Sequence, residues 1–284
     1  MFTRFRLTRF EAACARRFSG KAPAPAWDRL YCDLPFTLME MAERNEPKAA
    51  YVLGDIFDQG MGGIKQDFEK ALLYYRLAEK IEDPDALNNI GSMHYQGDAL
   101  PLDREKARHY FERAVAGGCA AAMNNLGRMY LDGEGGAGVD IAKGLAILKR
   151  GAEAYDANAA LKLKSIYYEG SYDQRKSQFK YVRWLWQAAF NGHAGSYAVI
   201  GDILAAGEIV KRQPMRVRPL YERALALSDG YGALCLGLDY CSGKCGEQDV
   251  ERGLQYLRQA AAMGEEDAAE MANKIVQAMR TALE

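Results

Sequence analysis

Ala122-Met-Asn-Asn-Leu-Gly-Arg-Met-Tyr-Leu-Asp-Gly133 is the stretch of sequence that decides the fold, because its pattern recurs along the chain at a fixed step. Its two glycines belong to two series in which neighbours are 36 or 37 residues apart, or twice that where one member is missing. The first series is Gly54, Gly91, Gly127, Gly201 and Gly237, and the second is Gly60, Gly97, Gly133, Gly170, Gly207 and Gly243. A step of this size is typical of stacked helix-turn-helix units. We therefore predict an all-α solenoid of about six repeats of 36–37 residues.

Each repeat is predicted to contain a helix A followed by a helix B. Small and large residues around the first glycine recur at helical spacing, which gives helix A one packed face. The second glycine is placed to end helix A, since glycine adopts positive φ without steric cost. Helix B is predicted to open at Asp67, Asp103, Asp140, Ser177, Gln213 and Asp249. All of these except Gln213 have side chains that can accept bonds from free backbone amides, and Gln213 is followed by Pro214 at the first helical position.

Three segments follow from the extent of the repeats. Residues 1–46 are predicted to form a basic amphipathic segment and an N-terminal capping helix, residues 47–264 to form six repeats, and residues 265–284 to form a C-terminal capping helix. Three residues depart from the pattern. Lys164 takes a first-glycine position, Pro219 falls inside a predicted helix B and is expected to kink it or delay its start, and Asp239 replaces an Ile or Met.

Composition favours a helix-rich globular protein in a reducing compartment. The 284 residues carry a formal net charge of -1, although residues 1–26 hold six basic residues and one acidic residue. Basic residues confined to one end do not indicate nucleic-acid binding. No apolar run reaches the length of a membrane span. A cytoplasmic location is expected, with a mitochondrial transit peptide as the alternative reading of residues 1–21.

The six cysteines are interpreted mainly as reduced structural thiols. Cys235, Cys241 and Cys245 cluster in the last repeat, where a disulfide is the alternative. A zinc site would need four ligands, and no second cysteine pair or nearby histidine completes one. No metal or cofactor is expected.

The segments Ala86–Gly97 and Ala122–Gly133, each followed by a loop and a capping aspartate, resemble the Sel-1-like repeat family of the tetratricopeptide superfamily. The resemblance covers about residues 47–264. It implies a right-handed α-solenoid that acts as an adaptor or scaffold and binds partners through a concave face lined by helix A. Asn89 and Asn125 match an asparagine that in related repeats holds a partner's backbone.

The helix A residues that point away from the packed face are the predicted partner-binding site, and they are Asp55, Asn89, Ser92, Asn125, Arg128, Lys162 and Ser165. Their amide and hydroxyl groups suit an extended peptide or loop. In helix B, Trp184 is expected in the core and Trp186 is expected to be exposed enough to anchor a partner. The partner is predicted to be another protein, bound by a monomer or weak dimer.

Three functional classes are weighed for this surface. The first is an adaptor or scaffold, and the second is a dedicated inhibitor, such as an immunity protein that neutralises a toxin. The third is a hydrolase, since some members of the resembling family have been linked to β-lactam hydrolysis and Ser177-Gln-Phe-Lys180 has the spacing of a serine nucleophile and a lysine base. Ser177 is already explained as a helix cap and no partner motif accompanies it, so no catalytic residue is predicted.

Overall fold

The computed structural model describes residues 47–61 and 64–281. Within these ranges the chain forms α-helices joined by short loops and contains no β-strand. The predicted N-terminal segment and capping helix, residues 1–46, lie outside the described residues, as do Cys14, Cys32 and the transit-peptide alternative. The all-α fold and its helix-turn-helix repeats are confirmed.

The described residues fall into two compact units, 47–176 and 177–281. In the first unit consecutive helices pack against one another. Its helices are α1 (Pro47–Gln59), α2 (Phe68–Glu79), α3 (Pro84–Gln96), α4 (Arg104–Ala116), α5 (Ala120–Asp132), α6 (Ile141–Glu153) and α7 (Ala157–Glu169). Odd-numbered helices here are the helices A of the repeats, and even-numbered ones are the helices B.

The second unit begins with a helix B and ends with a single long helix. Its helices are α8 (Gln178–Phe190), α9 (Ala194–Ala206), α10 (Val217–Ala226), α11 (Gly230–Ser242), α12 (Val250–Ala262) and α13 (Glu266–Thr281), with a 3-10 turn η1 (Pro214–Arg216) directly before α10. Consecutive helices again pack together. Helix α13 lies in the segment that was predicted to cap the C-terminal end.

The glycines of the two series have different structural roles. The first glycine lets helix B approach: a Cβ atom on Gly91 would lie 2.8 Å from the ring of Phe111, which is buried in α4. The second glycine ends helix A, and Gly97 does so with φ of +88° while its N–H donates to the Met93 carbonyl at 2.8 Å. The role of the second glycine agrees with the sequence prediction.

The five predicted capping side chains of helix B are confirmed. Asp103, for example, accepts the backbone N–H of Lys106 at 3.0 Å, and the equivalent bonds are made by Asp67, Asp140, Ser177 and Asp249. Gln213 makes no side-chain capping bond. Because Pro219 has no N–H to donate, it sits in the first turn of α10, and the preceding residues form η1 instead of a full helical turn.

The other two departures also have local explanations. Asp239 is buried, and its carboxylate accepts the Arg218 Nε–H at 2.6 Å and the Cys245 backbone N–H at 3.0 Å. It therefore anchors the loop after α11. Lys164 is half-buried in α7, the helix that precedes the division between the two units.

Candidate functional site

A network of polar side chains joins the helices A of the first three repeats. Tyr75 reaches across from α2 and donates its hydroxyl to Asp55 Oδ1 at 3.2 Å. Asn89 Nδ2 in α3 donates to the Tyr75 hydroxyl oxygen at 2.9 Å and to Asp55 Oδ1 at 3.4 Å. The carboxylate of one repeat is thereby fixed by the amide of the next.

The network continues through a buried asparagine that the sequence interpretation did not select. Asn88 Nδ2 donates to Asn89 Oδ1 at 3.1 Å, and Asn88 Oδ1 accepts from Asn125 Nδ2 at 3.0 Å. We call Asp55, Tyr75, Asn88, Asn89 and Asn125 the amide network. It extends over α1, α3 and α5 and holds their polar residues in a fixed register.

The amide network changes the role of the predicted asparagines. Asn89 uses both its Nδ2 and its Oδ1 inside the network, so its side chain positions its neighbours. The network ends at α5, where Asn125 Oδ1, the Asn124 amide and the exposed Arg128 guanidinium make no hydrogen bond within residues 47–61 and 64–281. Ser92 instead donates its hydroxyl to the Asn88 carbonyl at 3.1 Å.

The remaining predicted residues of the first unit lie further along the helix A series. Lys162 Nζ donates to the Tyr172 hydroxyl oxygen at 3.3 Å, and the Tyr172 hydroxyl donates to Asp132 Oδ1 at 2.6 Å. Ser165 donates its hydroxyl to Glu169 Oε1 at 2.7 Å. Lys162 and Ser165 are thus held by residues of their own chain, and neither belongs to the amide network.

Acidic and basic groups around Arg128 set the electrostatic character of this surface. The hydrogen bond to Asp132 raises the pKa of Tyr172 to about 12, while Arg128 lowers it. Burial raises the pKa of Tyr95, and the hydrogen bond to Glu134 adds to that rise, whereas Arg128 again acts in the opposite direction. Arg128 therefore lies within electrostatic reach of two tyrosines from neighbouring repeats. In the amide network, burial is the main cause that raises the pKa of Asp55.

The second unit repeats the aspartate-tyrosine pairing at equivalent positions. Asp202 follows Gly201 as Asp55 follows Gly54, and it accepts the Tyr221 hydroxyl at 2.8 Å and the Tyr231 hydroxyl at 2.9 Å. Sequence interpretation missed these pairs. A signal was present, because an aspartate follows the first glycine in the two repeats in which a tyrosine, Tyr75 or Tyr221, stands 20 or 21 residues after that glycine.

The two tryptophans of α8 are placed as predicted. Trp184 is buried in the core, and Trp186 is 44% exposed. Trp186 lies in the second unit and forms part of an apolar groove with residues of α9 and α10. It is separate from the helix A residues of the first unit that were predicted to share its function.

Groups with potential for catalysis are engaged in structural roles. Ser177 Oγ accepts the Lys180 backbone N–H at 3.4 Å as the cap of α8. His193 caps α9, with its Nδ1 accepting the Ser196 N–H at 3.1 Å. His94 is buried and its ring stacks on Tyr110. No cluster of histidine, cysteine and carboxylate side chains suited to a metal ion is found in the part of the chain that the structure describes.

The described cysteines are free thiols. Burial is the main cause that raises the pKa of the Cys119 and Cys235 thiols, each to about 12. It also raises the pKa of Cys241 and Cys245. Since the thiolate is the reactive form, these groups are poor nucleophiles at neutral pH.

Comparison with protein families identifies the repeat. The Sel1 repeat model matches residues 47–80, 84–119, 120–156 and 233–265. Among curated proteins, the ERAD-associated E3 ubiquitin-protein ligase component HRD3B of Arabidopsis thaliana is 32% identical over 80 residues. That alignment covers 28% of this chain and 13% of the relative.

Solved structures share the fold over most of the chain. A Sel1 repeat protein from Oxalobacter formigenes is 26% identical with a TM-score of 0.60, covering 70% of this chain and 81% of that one. A protective antigen of uropathogenic Escherichia coli with an SLR fold is 22% identical with a TM-score of 0.63, covering 81% and 49%. The immunity protein Pa5087 of Pseudomonas aeruginosa is 18% identical with a TM-score of 0.52, covering 72% and 84%. At 18% and 22% identity the likeness shows the fold alone.

No helix within residues 47–61 and 64–281 is long and apolar enough to cross a membrane.

Proposed function

Since this chain carries Sel1 repeats, we propose that it is a non-catalytic adaptor or scaffold that binds a segment of a partner protein on the helix A face of its first unit. Repeats of this kind generally mediate protein-protein interaction through the surfaces that stacked helices present. The segment is held beside the amide network, at Asn124, Asn125 and Arg128.

The observation that carries the proposal is the way the amide network ends. Asp55, Tyr75, Asn88 and Asn89 each form hydrogen bonds with neighbours in the network. At α5, Asn124, Asn125 and Arg128 have hydrogen-bonding capacity that the described residues leave unused. An asparagine amide offers both a donor and an acceptor, which matches the N–H and C=O of an extended backbone. The fixed amides therefore present a pre-organised site, which lowers the entropic cost of binding.

Arg128 gives the site a preference for charge. Its guanidinium is exposed and unpaired within the described residues, and it has five N–H donors in a planar fork. A carboxylate on the partner, either a side chain or a chain terminus, can bind this fork with two parallel hydrogen bonds. We expect the bound segment to place an acidic group opposite Arg128.

Affinity co-purification from the native host tests the proposal. The variant combines Asn124→Ala with Arg128→Glu and leaves Asn88 and Asn89 intact, because removing a network asparagine would disturb the fold. The matched control is Arg150→Glu, which reverses an exposed charge on helix B of the same repeat. We expect the double variant to lose the partner and the control to retain it.

Circular dichroism and thermal unfolding establish that both variants fold as the wild type does. A partner retained equally by the double variant and the control contradicts the helix A site. Reduced binding by both variants would indicate a general charge effect, and it also contradicts the specific role of Arg128.

The alternative function is that of a dedicated inhibitor that binds one folded protein and blocks its active site. The fold supports it to the extent that one solved neighbour is described as an immunity protein. The two functions differ in the partner recovered. An adaptor retains binding to an isolated peptide segment of its partner, whereas an inhibitor requires the folded partner and abolishes that partner's activity.

A hydrolase role is not proposed. Ser177 Oγ accepts a backbone N–H as a helix cap, and no histidine of the described residues forms a hydrogen bond with it. The Ser-x-x-Lys spacing is also part of the repeat pattern, because a basic residue follows three positions after the start of helix B in the other repeats, at Lys70, Lys106, Lys143, Arg216 and Arg252.

A further inference from the structure

The second unit contains an apolar groove of about 570 Å³ on its helix B side. Val182 and Trp186 of α8 form one wall, and Met215 of η1 with Leu220 of α10 form the other. Side chains of α9, such as Ile203, form the floor. Trp186 is 44% exposed and Met215 is 85% exposed, so large apolar surface remains open to a ligand.

The groove is open because helix B is shortened in this repeat. Helix α10 has 10 residues, whereas α4, α6, α8 and α12 each have 13. Pro219 delays the start of α10, and the 3-10 turn η1 occupies the place of its first turn. The same departure from the repeat therefore removes a helical turn and exposes the apolar residues that this turn would contact.

Two basic residues stand at the edge of the groove. Arg216 and Arg223 both line it and are both exposed, and no carboxylate is among its lining residues. Neither guanidinium forms a hydrogen bond or an ion pair within residues 47–61 and 64–281. The groove therefore combines two cations that have no ion-pair partner with apolar side chains that are exposed to solvent.

Arg216 is unpaired because its repeat lacks the partners that other repeats provide. At the equivalent position, Lys70 and Lys106 pair with the capping aspartates Asp67 and Asp103 at 3.2 Å. Lys143 lies 4.0 Å over the ring of the helix A residue Tyr130, and Arg252 lies 4.6 Å over that of Tyr240.

In this repeat Gln213 stands at the position of the capping aspartates, and Leu204 stands at the position of Tyr130 and Tyr240. Both kinds of partner are therefore replaced. The Arg216 guanidinium is thereby left for a group from outside the chain.

We propose that this groove, defined by Val182, Trp186, Ile203, Met215 and Leu220 and edged by Arg216 and Arg223, binds an acidic amphipathic segment of a partner protein. Two or three apolar side chains of the segment contact the groove, and flanking aspartates or glutamates pair with the two arginines. Charge complementarity of this kind gives specificity and speeds association. This surface is distinct from the helix A site of the first unit.

The charge of the groove argues against two other occupants. Residues 1–26 of the same chain hold four phenylalanines but carry a net charge of +5, which has the same sign as the two arginines. A second copy of the chain would bring its own Arg216 and Arg223 toward the first pair if the two grooves faced each other. An acidic partner segment avoids both repulsions.

Peptide selection on the full-length chain tests the proposal. A phage-displayed library of random peptides long enough for about three helical turns is selected on the wild type. Binders to the triple variant Met215→Glu, Arg216→Glu and Arg223→Glu are removed by counter-selection. We expect the enriched peptides to be acidic, with apolar residues at helical spacing. A synthetic copy should lose about tenfold in affinity on Arg216→Glu with Arg223→Glu, and little on Arg258→Glu, which reverses an exposed charge on α12.

Each other result overturns the proposal. Enriched peptides that are basic or uncharged, or failure to enrich any peptide that depends on the three residues, contradict an acidic ligand. A synthetic peptide of residues 1–26 that displaces the selected peptides assigns the groove to the chain itself. A dimer seen by light scattering in the wild type and lost in the triple variant assigns it to a second copy. Circular dichroism of every variant confirms that the chain is folded.

Discussion

The first glycine, which five of the six repeats contain, restricts the residue type at its position because it faces a large side chain of helix B. Gly91→Ala would place Cβ 2.8 Å from the Phe111 ring in a buried contact, so the ring or the helix must move. We expect a loss of about 1–3 kcal/mol in the free energy of unfolding, since overpacking forces strain into neighbouring side chains. Urea denaturation followed by circular dichroism measures the loss.

Gly195→Ala is the matched control for that substitution. Gly195 is also helical, but the atoms nearest to its added Cβ would lie at ordinary contact distances of 3.4 Å or more. Alanine favours the helix over glycine by up to about 1 kcal/mol, so this variant should be as stable as the wild type or more stable. Equal losses in Gly91→Ala and Gly195→Ala would show that close approach to Phe111 is not the cause.

The raised pKa of Asp55 predicts how its contribution to stability depends on pH. Burial raises this pKa above its unfolded value, so the folded chain binds more protons than the unfolded chain between the two values. The contribution of Asp55 is therefore greatest below the unfolded pKa and falls as pH rises through the folded pKa. Asparagine cannot ionise, and its Oδ1 still accepts from Tyr75 and Asn89.

Asp55→Asn should consequently gain stability relative to the wild type as pH increases. Urea unfolding of both chains at a series of pH values from below the ordinary aspartate pKa to neutrality measures the difference. Asp140→Asn is the control, because Asp140 caps α6 outside the amide network. A difference between Asp55→Asn and wild type that is constant with pH, or that moves in the opposite direction, contradicts the burial argument.

Sequence alone predicted the residues whose role is set by the backbone. Capping at Asp103 and positive φ at Gly97 follow from local geometry, and both were found. The amide network was not predicted, because helical periodicity shows which face Asn89 is on but not which side chains meet it there. Tyr75, which fixes Asn89, lies on a different helix, and its position depends on how two helices pack.

At the scale of helices and loops, an arginine of helix B links the repeat to the loop of the next repeat in two places. Arg108 in α4 donates from Nε to the Gly135 carbonyl at 2.8 Å, and Arg218 in α10 donates from Nη2 to the Glu247 carbonyl at 2.6 Å. The two arginines occupy equivalent positions. In the second case the tie is strengthened by the buried ion pair with Asp239.

Breaking this ion pair should destabilise the second unit. Arg218→Met leaves the Asp239 carboxylate buried without its cation, for which we expect a loss of about 3 kcal/mol or more in the free energy of unfolding. Adding Asp239→Met should recover at least half of that loss, because Ile or Met occupies this position in the other repeats. Thermal and urea unfolding of the single and double variants give both values.

Arg258→Ala serves as the control, since Arg258 is exposed on α12 and its removal should change stability by less than about 0.5 kcal/mol. A double variant as unstable as Arg218→Met would show that the hydrogen bonds to the Cys245 N–H and the Glu247 carbonyl contribute more than the ion pair does.

The effect of Pro219 on helix B could be anticipated only in part. Its sequence position predicted a kink or a delayed start, and the delayed start was found. The groove beside it depends on Trp186 and Met215, which come from separate elements, so no local pattern indicated it.

At the scale of the whole molecule, the period predicted the repeats but not how the chain divides. The two compact units meet in sequence between Lys176 and Ser177, inside a repeat rather than between repeats. This is the repeat in which Lys164 replaces the first glycine. A fixed period treats all repeats as equal, so it does not predict where the chain divides into compact units.

The repeat architecture also predicts that a destabilising substitution in one helix pair affects mainly that pair and the helices packed on it. In stacked repeats each repeat contacts only its neighbours. The free energy of unfolding is therefore close to a sum of contributions from single repeats and from the contacts between neighbouring repeats. Gly91→Ala should therefore raise amide hydrogen exchange mainly in α3, α4 and the helices packed on them, while α11 and α12 keep wild-type rates. Gly237→Ala, whose Cβ would lie 2.8 Å from Leu257, should show the reverse pattern.

Exchange followed by mass spectrometry under native conditions resolves the two patterns by peptide. If either variant raised exchange by the same factor in all described helices, opening would be global, and the local description of this chain would be wrong. If the two patterns stay separate, substitutions that weaken the helix A site of the first unit leave the groove of the second unit intact, so each proposed binding surface can be tested while the other remains functional.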